Sequence, residues 1–67
     1  MAISYNKLWY LLIERKMKKQ ELQDKAKISS ATMAKLKKGD NVNTDVLLRI
    51  CEALGCNISD IMEIEGL

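Results

Sequence analysis

Histidine, proline and phenylalanine are absent from these 67 residues, and cysteine occurs only as Cys51 and Cys56. Without histidine, the commonest neutral-pH acid–base group and metal ligand is gone. Two thiols alone do not make a four-ligand zinc site from one chain, nor a disulfide framework. Three glycines, Gly39, Gly55 and Gly66, give no phosphate-cradling loop, and no nucleophile is paired with a base. The expectation is therefore no enzyme, no cofactor and no metal. No charged-then-apolar start suggests a signal peptide, and no apolar run reaches membrane-spanning length. A reduced, cytoplasmic protein with no membrane contact is expected.

What remains suits a small helical domain. Sixty-seven residues allow one domain with one small core, spanning residues 1–67. A hydrophobic fraction of 48% without proline favours compact helices over disorder. Net charge is only +2, but its distribution is lopsided. From Arg15 to Lys38 nine Lys or Arg face two acids, a balance of +7. From Gly39 onward one Arg faces six acids, a balance of −5. A lysine-rich surface can be simple solvation; the sharper reading is a face for a polyanion.

Helical spacing recurs along the chain and predicts an all-α, five-helix fold. The first helix is expected over about Tyr5–Lys16, capped by Ser4. Leu8, Leu11 and Leu12 face the core, and Tyr5, Trp9 and Ile13 form a second apolar row. The second runs from Lys19 to about Ala26, with Leu22 and Ala26 inward and Met17 plugging the gap before it. Ser29 caps the third, which runs to Lys38 with Met33 and Leu36 inward. Gly39 stops it where positive φ is cheap. Asn43 caps the fourth, whose stripe is Leu47, Ile50, Cys51 and Leu54, and Gly55 ends it. Asn57 caps a fifth, with Asp60 in a capping-box position and Ile58, Ile61 and Met62 inward. "EIEGL" is left as a tail. Cys51 reads as a small hydrophobe on its stripe.

The second helix, a tight turn at Lys27–Ile28 and the third helix make a helix-turn-helix over about residues 19–38. In that motif the second helix enters the major groove. Ser30, Ala31, Thr32 and Ala34 are small enough to let its backbone approach bases, with lysines beside them for phosphates. Taken by themselves, Lys35, Lys37 and Lys38 can be a merely solvating group.

From about Asn6 to Ile64 the chain resembles the Cro/repressor-type (XRE-like) helix-turn-helix family of bacterial and phage regulators, in its small single-domain subgroup. The resemblance rests on "QEL", "ISSATMAKL" and "LLRICEALGCNISDIM". It implies a lambda-repressor-like fold and sequence-specific binding of double-stranded DNA. It implies phosphate contact at the opening of the second helix, Lys18 and Lys19, with Ser29 capping the recognition helix. Ser30, Ala31, Thr32 and Lys35 fall at DNA-facing positions. Lys38, Asp40 and Asn41 fall in a loop along the backbone. The chain departs from the family pattern at Gln23, where a small residue is usual, at Lys27, where glycine is usual, and at Ala31, where a hydrogen-bonding side chain is common. Regulators of this type usually bind palindromic operators as homodimers, with half-sites ~34 Å apart. A homodimer through the fifth helix, the tail and the edge of the first helix is therefore expected. Repression by promoter occlusion is the plainest mechanism; an antitoxin-like or other protein-interaction module is the rival.

Overall fold

Residues 2–66 are described by a computed structural model of the chain. In order it contains β1 (Ala2–Ser4), α1 (Asn6–Glu14), α2 (Lys19–Ala26), α3 (Ser30–Lys38), α4 (Thr44–Leu54), a 3-10 turn (Ile58–Asp60) and β2 (Glu63–Glu65). β1 and β2 pair antiparallel, with Ile3 opposite Ile64, so the two ends of the chain close on each other. α2 packs on α4, and the 3-10 turn packs against both α1 and α4.

One cluster holds these elements together. Leu8 of α1, Leu22 of α2, Leu36 of α3, Ile50 of α4 and Ile61 beyond the 3-10 turn are all fully buried within it. Burying side chains of this size stabilises by about 1.5–3 kcal/mol each. Every helix thus contributes an anchor, and the orientation of α3 relative to α2 is set by the shared core.

The helix ends repeat one device. Backbone N–H groups of Met17, Ile28, Asp40 and Cys56 donate to the carbonyls of Leu12, Gln23, Lys35 and Cys51, at 2.9, 3.1, 2.9 and 3.1 Å. The residue before each donor has positive φ: Lys16 and Lys27 at 56°, Gly39 at 77° and Gly55 at 64°. This is the left-handed cap that satisfies the last carbonyls of a helix. Glycine adopts it freely; a lysine there costs about 1 kcal/mol.

The five-helix expectation is corrected to four α-helices, one 3-10 turn and a two-stranded sheet among the described residues. The expected fifth helix is reduced to Ile58–Asp60. Its capping contact exists, Asn57 N–H donating to Asp60 Oδ2 at 3.0 Å. A single turn gains too few hydrogen bonds to extend by itself. The Glu-Ile-Glu alternation that follows has strand periodicity, and pairing with β1 takes it over. The segment read as a tail is therefore β2. Ile61 is buried as expected and Met62 partly so, but Ile58 is exposed.

α1 is also shorter than expected. Tyr5 takes the N-cap position, and Ser4 Oγ accepts from Asn6 N–H at 3.3 Å. The apolar row on α1 is covered only at one end. Tyr5 is buried and Trp9 half-buried, whereas Ile13 is 72% exposed. Ile13 is thus left uncovered by the rest of the chain.

Candidate nucleic-acid interface

α2 begins without a side-chain acceptor on Lys18; instead Glu21 accepts from the Lys18 backbone N–H at 3.2 Å. Lys18 and Lys19 are exposed at this end. The Lys19 ammonium lies 4.6 Å from the centre of the Trp9 ring, a cation–π contact that ties the start of α2 to α1.

The turn to α3 is held from two sides. Ile28 is buried beneath it, and Arg49 of α4 donates to the Lys27 carbonyl at 3.2 Å. Arg49 also pairs with Asp45 at 3.0 Å. Lys27 keeps the turn in its left-handed conformation, and Arg49 anchors its carbonyl.

α3 opens on Ser29, whose Oγ accepts from Thr32 N–H at 3.1 Å and donates to Thr32 Oγ1 at 3.0 Å. The first-turn N–H groups of Ser30 and Ala31 are those a helix leaves over for an outside acceptor, at its positive end. With about 100° per residue, Ala31, Ala34, Lys35 and Lys38 fall on the side opposite Met33 and Leu36. Burial agrees: Met33 and Leu36 are buried, and those four are exposed with Ser30. Thr32 and Lys37 fall at the flanks, Thr32 half-buried with its hydroxyl engaged by Ser29. Small side chains and lysines thus share one unpacked face.

Lys38 is the last residue of α3, not part of the loop. Asp40 and Asn41 follow it. The Tyr5 hydroxyl donates to the Asp40 carbonyl at 3.0 Å and pins this loop to the start of α1. Burial pushes the Tyr5 phenol above its ordinary pKa, so the pinning group stays protonated. Asn41 is exposed.

Two helices packed on one core and joined by a tight turn, the second presenting a small, basic outer face, make a helix-turn-helix. Residues 7–66 match the Cro/C1-type HTH DNA-binding domain. The chain belongs to the Cro/C1-type helix-turn-helix DNA-binding family. It is also similar to a solved protein, the transcriptional regulator VanUg in its form II crystal structure. The identity is 55%, the TM-score 0.90, and the match covers 92% of this chain and 83% of that one. No curated protein matches the chain.

Within this Cro/C1-type domain the structure brings Ser29, Ser30, Ala31, Lys35 and Lys38 together along α3, with Thr32 turned to its flank. Lys18 and Lys19 stand at the head of α2, and Asn41 stands beyond the end of α3. Sequence reasoning missed three supports. Arg49 holds the turn from α4, Tyr5 holds the loop, and the Arg15 guanidinium donates to the Leu54 carbonyl at the end of α4. All three bridge residues far apart in sequence. The only advance signal was a lone Arg49 in an otherwise acidic half. Among the described residues no helix is long and apolar enough to cross a membrane.

Proposed function

We propose that the whole chain, residues 1–67, is one DNA-binding domain that acts as a sequence-specific transcriptional regulator, a repressor that blocks a promoter by occupying it. The observation that carries this reading is the outer face of α3, where Ala31 and Ala34 leave room for close approach and Lys35 and Lys38 supply charge. α3 enters the major groove of double-stranded DNA. Ser30, Ala31 and Lys35 meet base edges, with Ala31 packing on a thymine methyl and Lys35 reaching a guanine, while Thr32 holds the Ser29 cap at the flank of the helix. Lys18, Lys19, Ser29, Lys38 and Asn41 meet phosphates and fix the register. Binding is cytoplasmic, in a bacterial or phage setting, which the family resemblance supports.

A single recognition helix reads few base pairs, so the operator is palindromic and the protein binds it as a homodimer. Exposed apolar side chains on the elements expected to form the dimer, Ile13 of α1, Ile58 of the 3-10 turn and Ile64 of β2, supply surface for the partner copy. That same surface favours the second reading, a protein-interaction or antitoxin-like module. Selection of bound sequences from random duplex DNA separates the two. The regulator reading expects recovery of one enriched sequence with two-fold symmetry. Absence of retention at low salt supports the interaction module, and retention without enrichment leaves only non-specific binding.

A further inference from the structure

The two cysteines are five apart in sequence and line one groove. α4 ends in the left-handed cap at Gly55, and Cys56 N–H donates to the Cys51 carbonyl at 3.1 Å. That bond folds the chain back so that the side chains of the two bonded residues come together, as they do in caps of this type. Both thiols are free and half-buried; burial first, and then the neighbouring Cys56 thiol, push the Cys51 thiol above its ordinary pKa. They form part of an open groove of about 460 Å³ between α4 and the 3-10 turn, with Leu47, Leu48 and Ile58 as apolar walls. None of the proposed DNA contacts lines this groove.

A disulfide demands sulfurs about 2.0 Å apart and a dihedral near 90°. A bridging atom between the sulfurs relaxes both demands. Soft centres prefer thiolate ligands over oxygen and nitrogen, and with no other cysteine in the chain the pair is its one thiol donor set. Neighbouring thiols also gain from chelation, since the second bond forms without a second encounter.

We propose that Cys51 and Cys56 form a bidentate thiol site for a soft trivalent centre of the arsenic class. With an organoarsenic oxide the step is a condensation. Two As–S bonds form and the As=O bond breaks. The two thiol protons leave with the oxygen as one water, and arsenic stays trivalent. No oxidant or reductant is needed. The bridged ring lies in the groove, on a surface separate from α3, so the site does not depend on what α3 binds.

Phenylarsine oxide on the reduced, folded full chain tests this by native mass spectrometry. The expected result is one adduct per chain, heavier by the reagent less one water. Both thiols become silent to a thiol-titrating reagent. A large excess of monothiol leaves the adduct intact, and a small dithiol strips it. Cys51→Ala and Cys56→Ala each give an adduct that monothiol removes. Because Cys51→Ala can also loosen α4, the wild-type monothiol resistance decides the case on its own. No adduct on the folded chain, an adduct that monothiol displaces, or one arsenic joining two chains overturns the proposal.

Discussion

The outer faces of α3 and α4 are built from opposite materials. α3 presents alanines, a serine and lysines to the outside, whereas α4, with the 3-10 turn after it, presents Leu48, Ile58 and two half-buried thiols beside the mixed charges of Asp45, Arg49 and Glu52. Their inner faces are alike: Met33 and Leu36 on one, Leu47, Ile50 and Leu54 on the other, all in one core. Packing therefore does not explain the difference. A lysine-rich face of small residues suits a charged, closely approaching partner; an exposed apolar groove suits a protein surface or a soft ligand.

The largest effect should come from giving one face the charge of the wrong sign. Ala34→Glu sets a carboxylate against phosphates, and like-charge contacts cost several kcal/mol, a loss of roughly 100-fold or more in DNA affinity. Leu48→Glu, an equally drastic change on the other face, should leave affinity for a half-site duplex within about twofold. Fluorescence anisotropy with labelled duplexes measures both. Equal losses from the two variants would dissolve the division of labour.

Next in size is readout. Lys35→Ala should cost about 1–3 kcal/mol against sites carrying the preferred base at one position, and little against the rest. Competition among single-base variants of the selected site shows this. A uniform loss makes Lys35 a backbone contact. Lys38→Ala should weaken all sequences alike and flatten the log–log salt dependence by about one unit. An unchanged slope takes Lys38 off the phosphates.

The smallest effect concerns the turn that orients the basic face. Lys27→Gly relieves a left-handed lysine and should raise stability by up to about 1 kcal/mol, seen as a higher urea midpoint. Gly55 at the end of α4 already has that freedom, so Gly55→Ala should lower stability by a similar amount. If Lys27→Gly is destabilising, the lysine side chain contributes more than its strain costs.

These two caps also show what could be read in advance. The 3.6-residue spacing and the Ser29, Asn43, Gly39 and Gly55 signals are local, and α2, α3 and α4 stand at the expected residues. Lys27 marks a departure from the family pattern, but that its turn keeps the left-handed conformation, and that Arg49 supports it from 22 residues away, leave no mark in the local sequence. The chain ends were misread for the same reason. "EIE" next to a helical capping box looks like a tail until Ile3, sixty-one positions earlier, is brought opposite Ile64. The outer face of α3 was legible because helix geometry alone determines which residues lie opposite Met33 and Leu36. Thr32 was harder to place, since its hydroxyl is shared with the Ser29 cap.

Backbone-amide NMR during titration with a selected duplex tests most directly the claim that α3 is the DNA-binding face. The account predicts the largest shifts at Lys19, Ser29 to Ala31, Lys35, Lys38 and Asn41, with Leu48, Cys51, Cys56 and Ile58 unmoved in a half-site complex. Large shifts along α4 and the 3-10 turn with a silent α3 would contradict it.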